Sequence, residues 1–328
     1  MDRSPRRPET AANRAKAKRR REREEKVKAG LAQLDLWLRG CVRQGVASVP
    51  PHPDPFWEDI AARMVDAQAP GIARELRSMA KIPHVKTRWP ERLLARLGRL
   101  HLLVEGFSRL EELPPGTQAD IRTQIGWTYD RETLLQQPGQ FDRWWVLGQQ
   151  VETDAAATPN LRARRVWLWG ESCGKHAFSL EFAYGERPFE ETWDLGAAIE
   201  GELVFYPSAY PLRGVLKPDA QVLQTETLQQ MPGFKSIAAA LRGYSSALGQ
   251  NLWLDRFPLT LARCVPESGG KAIADENGDR LPVAPDFTGG WPLMAISGGE
   301  AIAIFGEWDG EFWLPLSAFA EGRLVVLG

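Results

Sequence analysis

At 328 residues the chain exceeds the length at which one hydrophobic core usually stops growing, so two packed units are expected. Apolar content of 43% and charged content of 25% are those of a folded protein, which excludes disorder as the general state. No apolar run approaches the roughly 20 residues of a membrane span, and the charged start lacks a secretory pattern, so a cytoplasmic protein with no membrane segment is expected.

Three widely spaced cysteines, Cys41, Cys173 and Cys264, argue against a disulfide framework and fit a reducing compartment. The formal charge of -1 conceals an asymmetry: residues 1–30 hold 12 Lys/Arg against five Asp/Glu, a net of +7, so the rest of the chain carries -8. Residues 1–26 have almost no apolar side chain beyond alanine, so they are expected to form a basic arm, disordered or a solvated helical extension.

From Val27 the pattern changes. Val27, Leu31, Leu34, Leu38 and Cys41 recur at steps of four and three, one stripe of a core helix, which the Pro50–Pro55 loop ends. Phe56, Ile60 and Met64 mark a second helix, and Ile72, Leu76 and Met79 a third. Pro90 suits the first turn of a long helix whose buried face carries Leu93, Leu97, Leu100, Val104 and Phe107, with His101 beside it. A weaker helical stretch around Ile121, Ile125 and Leu134 closes a helical unit assigned to residues 27–138.

Residues 139–328 follow strand grammar. Arg164–Gly170 and His176–Tyr184 flank a turn and predict a β-hairpin, with Phe178, Leu180, Phe182 and Tyr184 on one face. Ala198–Tyr206 reads as a strand, Phe234–Leu248 as one inserted helix, Leu259–Val265 as a strand, and Glu276-Asn277-Gly278-Asp279 as a hairpin turn. The last fifty residues predict a meander with turns at Gly289-Gly290, Gly298-Gly299, Asp309-Gly310 and Glu321-Gly322. The fold class expected is α+β, a helical unit followed by a mostly antiparallel strand-rich unit. The heavy tryptophan content, 13 in all, points to core packing, with a stacking platform for bases or sugars as the alternative.

A zinc site commonly uses two close pairs of Cys or His, and only Cys173 and His176 make such a pair; Cys41, Cys264, His52, His84 and His101 stand singly. No metal site is therefore expected. A Cys173–His176 nucleophile and base, the basis of a hydrolase reading, would sit on an exposed turn without a pocket or an orienting third group. Phosphate-binding glycine loops, dinucleotide fingerprints and nucleophile elbows are absent from the sequence. Glu307, Asp309 and Glu311 alternate along a predicted hairpin, a solvated acidic face or a general-acid pair. No catalytic residue and no cofactor is assigned, and no enzymatic activity is expected. The strongest local signal is the basic run, in which Lys16, Lys18, Arg19, Arg20, Arg21 and Arg23 could neutralise nucleic-acid phosphates. Glu22, Glu24 and Glu25 dilute it, so a linker or protein-docking arm is the competing reading.

The segments Ala29–Arg39, Phe56–Pro70, Trp89–His101, Arg164–Gly170 and Phe205–Arg213 resemble the region that follows the finger in bacterial SWIM zinc-finger proteins. The finger of that family, a Cys-x-Cys with a later Cys-x-His, would come before this region, and no Cys-x-Cys occurs in the chain, so no zinc ligand carries over. Either the finger was lost or the chain starts late of it. The resemblance implies a cytoplasmic body of the kind associated with assemblies around MoxR-type ATPases. An adaptor that binds a protein partner is the function expected on that basis, with nucleic-acid binding through the arm as the alternative.

Overall fold

The computed structural model describes residues 11–51, 54–83, 88–153, 160–223 and 228–327, with the side chains of residues 11–17 and 268 outside that description. His52, His84 and the side chain of Lys16 lie outside the described residues. The chain divides into two compact units between Thr128 and Tyr129.

The first unit is helical. Helix α1 (Ala11–Gln44) carries the predicted stripe, and Val27, Leu31, Leu34, Leu38 and Cys41 are all buried. It begins within the basic arm, so residues 11–26 are helical backbone. Helix α2 (Pro55–Asp66) starts where Asp54 accepts the Phe56 N–H at 2.8 Å and Pro55 supplies a preset φ. Helices α3 (Pro70–Met79), α4 (Trp89–Ser108) and α5 (Pro115–Ile125) complete the bundle. The start of α3 lies against the end of α5 so closely that a Cβ on Gly71 would fall 2.2 Å from the Gln124 carbonyl oxygen. The buried face of α4 uses Leu93, Leu97, Leu100, Leu103 and Gly106; Val104 and Phe107, expected there, flank it half-buried.

The second unit opens with α6 (Arg131–Leu135), whose Leu134 is buried with Val204 and Val215. The division therefore falls earlier than the boundary read at residue 138. One sheet is built from β1 (Gln140–Thr153), β2 (Leu161–Gly170), β3 (His176–Tyr184), β4 (Ala198–Phe205), β5 (Gly214–Leu216) and β6 (Gln221–Leu223). Its order is β3-β2-β1-β4-β5, with β6 also paired to β4, and every ladder is antiparallel. Helix α7 (Ile237–Gln250) follows. The second sheet comprises β7 (Phe257–Pro266), β8 (Ala272–Asp275), β9 (Arg280–Pro282), β10 (Ile302–Trp308), β11 (Trp313–Ala320) and β12 (Arg323–Val326), in the order β12-β11-β10-β7-β8-β9.

The two sheets share one core, in which Trp145, Leu147 and Trp167 of the first pack with Leu259, Phe305, Trp313 and Leu316 of the second. On the reverse face of the first sheet Trp144, Val146, Val166 and Leu168 form a separate cluster with Trp193 and Ile199. Both faces being covered explains why β1 reads as a continuous apolar run through Trp144-Trp145-Val146-Leu147. Gly148 follows a register shift in β1 and lies against the second sheet, where a Cβ would meet Leu316 Cβ at 2.9 Å and the Phe305 ring at 3.2 Å.

Two details depart from expectation. The inserted helix starts at Ile237, where Ser236 accepts the Ala239 N–H and Asp275 accepts the Ile237 N–H at 2.8 Å; Phe234 instead bridges to Leu261. Within the predicted terminal meander, Gly290–Ser297 forms an eight-residue helix, α8, so Gly289 and Gly298 cap a helix rather than close hairpins.

Candidate functional site

The basic arm is held in a defined way. Lys18 pairs with Glu22 at 3.9 Å and Arg20 with Glu24 at 3.0 Å, both i,i+4 contacts with the glutamates that dilute the run. Arg23 turns inward, its guanidinium 5.1 Å from the centroid of the Trp127 ring, which itself packs edge-on against Phe107. Arg19 and Arg21 are exposed and make no ion pair among the described residues. At 3.6 residues per turn, the consecutive residues 18–21 circle the helix instead of lining one side, so the run does not gather into a stripe.

A charge network missed in the sequence lies at the margin between the two sheets. Glu307, read as part of a solvated acidic face, is only 1% exposed. Its carboxylate accepts Arg165 Nη1 at 2.8 and 2.9 Å and the indole N–H of Trp167 at 2.7 Å, and Arg256 Nε lies 3.3 Å away. Arg165, 15% exposed, also reaches Glu152 at 3.4 Å. Burial opposes the charge on Arg165, but Glu307 and Glu152 outweigh it and hold its pKa above the usual value. Asp309 stays at the surface, where its carboxylate accepts the N–H groups of Glu311 and Phe312 and shapes the β10–β11 turn. The three acids thus do not share a face. Sequence alternation could not show this, because the partners of Glu307 lie about 140 residues away on the other sheet.

Cys173 and His176 also depart from the exposed turn expected for them. Asp142, buried on β1, accepts N–H groups from Arg143 at 2.7 Å, Ser172 at 3.0 Å and Cys173 at 2.8 Å, and so clamps the β2–β3 turn. Burial works against ionisation of Asp142, yet bonds from the Cys173 side chain and these N–H groups hold its carboxyl below the ordinary range. Burial and then the Asp142 carboxylate push the Cys173 thiol up, the reverse of what activates a thiolate. His176 stacks parallel to the Phe305 ring at 6.3 Å, and its Nε2 is shut from solvent with no hydrogen-bond partner among the described residues. Burial lowers its pKa to about 4, so the ring is neutral at pH 7. Cys41 and Cys264 are buried thiols raised to about 11 and about 12 by desolvation.

In the helical unit, Asp35 on α1 and His101 and Glu105 on α4 each offer one ligand atom, all within 4.8 Å of one another. Among the Cys and His residues of the sequence His101 stands singly, and its companions are carboxylates. The i,i+4 step to Glu105 and a carboxylate from the neighbouring helix were the available signal.

The predicted aromatic stripe of β3 is divided. Phe178 packs on Trp167 at 5.1 Å, whereas Phe182 and Tyr184 further along are 54% and 58% exposed. Strand β3 ends its sheet, and Phe178 N–H donates outward to Leu212 O at 2.7 Å. By strand alternation the peptide groups of Leu180 and Phe182 face the same way, away from β2.

These features define a two-unit α+β protein, a helical bundle followed in the chain by a pair of antiparallel sheets. Residues 22–125, which make up most of the helical unit, match the family model of the SWIM-associated four-helix bundle domain. A search of curated proteins found no match, and neither did a search of solved structures. No helix among the described residues is long and apolar enough to cross a membrane.

Proposed function

We propose that this protein is a non-enzymatic adaptor, which docks a protein partner on the outer half of β3. The observation that carries the reading is the pair Phe182 and Tyr184, two aromatic side chains more than half exposed on a terminal strand where, past the Phe178–Leu212 bond, the Leu180 and Phe182 peptide groups face outward. An extended segment of a partner can add to such an edge, taking affinity from main-chain bonds and specificity from side chains at alternate positions. The resemblance to SWIM-family proteins makes a MoxR-type ATPase assembly in the cytoplasm the partner to test. A photo-crosslinking residue at position 182 or 184 in the full chain should yield one specific adduct, and F182S/Y184S should weaken binding to that partner at least tenfold. Partner capture that is unchanged in F182S/Y184S would sink the reading.

The second reading, nucleic-acid binding through α1, is favoured by Arg19 and Arg21, which are exposed and make no ion pair among the described residues. It has a smaller contact set than the sequence offered, because Arg23 is engaged with Trp127 and Lys18 and Arg20 face glutamates. On this reading R19A/R21A lowers the slope of log affinity against log salt by roughly 1.4–1.8. Retention on DNA that ignores both the substitution and the salt would exclude it.

A further inference from the structure

Helices α1 and α4 meet along a seam where Asp35, from the first, faces His101 and Glu105, one turn apart on the second. Arg39, one turn along α1, donates Nε to Asp35 Oδ2 at 2.8 Å and fixes the carboxylate plane. The other oxygen, Oδ1, is closed to solvent and accepts no hydrogen bond among the described residues. It faces His101 Nδ1 at 3.6 Å. That separation is too long for a hydrogen bond. It is close to the spacing of about 3.4 Å that two ligands take across one tetrahedral ion with bonds of about 2.0–2.1 Å.

We propose that Asp35, His101 and Glu105 bind a single divalent transition-metal ion, with zinc the fitting member. One imidazole nitrogen and two carboxylate oxygens suit zinc, whereas magnesium and calcium favour oxygen ligands throughout. Three protein ligands leave a coordination position to water, and the half-exposed His101 ring gives the ion a way in. Arg39 orients Asp35 but opposes the charge of the ion, so the site binds more weakly than a closed structural site. The ligands come from two helices, so the ion also ties α1 to α4. This inference stands apart from the partner-docking reading, which rests on β3.

The test titrates the purified, chelator-treated full chain with zinc chloride by calorimetry and with cobalt(II) by visible absorption. One equivalent should bind, and His101→Ala and Asp35→Asn should each weaken it at least about tenfold. Glu105→Gln should weaken it less, and Arg39→Gln should tighten it. The cobalt spectrum should lack a thiolate charge-transfer band, which separates this site from one built on cysteine. The proposal is overturned if no stoichiometric binding occurs at neutral pH, if a thiolate band appears, or if His101→Ala binds like the parent. The last two results would mean adventitious metal and a simple Asp35–His101 contact. Should Asp35→Asn disturb helicity, the substitutions at the exposed His101 and the half-buried Glu105 decide the matter alone.

Discussion

Replacing Glu307 by alanine tests how the two sheets are locked together. The change removes the acceptor of two Arg165 bonds and of the Trp167 indole, and it leaves a guanidinium that is 15% exposed with only Glu152 at 3.4 Å. Breaking one side of a buried ion pair costs about 3–5 kcal/mol, because the abandoned charge stays desolvated. For a unit of this size that corresponds to a fall in melting temperature of roughly 6–20 °C. Urea unfolding of the full chain, followed by tryptophan emission and by far-ultraviolet circular dichroism, measures the loss. The companion variant R165M/E307L replaces the whole pair with apolar side chains and should regain most of the stability. Loss of less than about 1 kcal/mol in Glu307→Ala would refute the reasoning, as would a double variant no better than the single one; in either case the network contributes little net energy.

Gly148→Ala should cost about 1–3 kcal/mol, seen as a lower urea midpoint at constant slope, since the added methyl meets Leu316 Cβ and the Phe305 ring and neither is a flexible chain end. His176 predicts a pH dependence: its folded pKa is lowered from 6.5 to about 4, so between these values the unfolded chain binds a proton that the folded one refuses. Stability from this group is complete above about pH 6.5 and falls by roughly 3 kcal/mol as pH drops to 4, and His176→Phe should flatten that interval in melting curves. Asp142 acts lower on the scale. Its depressed folded pKa contributes stability above the unfolded value of about 3.9, lost as pH falls through the folded one, and Asp142→Asn should cost about 1–3 kcal/mol at pH 7 and remove that loss. Faster amide exchange at Ser172 and Cys173 in Asp142→Asn would locate the effect in the β2–β3 turn.

The helical unit was legible because its information is local. The stripe from Val27 to Cys41 and the triplet Ile72, Leu76 and Met79 are each buried as their spacing requires. Strands were legible for the same reason where a hairpin joins neighbours, as in β2 and β3 around the Glu171–Lys175 turn. What escaped is non-local. Glu307 on β10 looks like any alternating acid until Arg165 arrives from the other sheet, although two arginines opening an apolar run at Val166 were a hint that a counter-charge was needed. Helix α8 escaped because Gly289-Gly290 is equally good turn chemistry, and its choice depends on packing Leu293 into the shared core. The group Asp35, His101 and Glu105 needs the α1–α4 pairing, which periodicity alone cannot specify.

The unbroken run of α1 from Ala11 to Gln44 is a rod about 50 Å long at 1.5 Å per residue, and its charged half has a phase as well as a reach. The backbone at Ala11 takes its orientation from the bundle. Inserting one alanine between Arg21 and Glu22 would swing it by about 100° around the axis while moving it only about 1.5 Å outward. Geometry at that end is therefore written in residue count, and a register change there alters direction far more than distance.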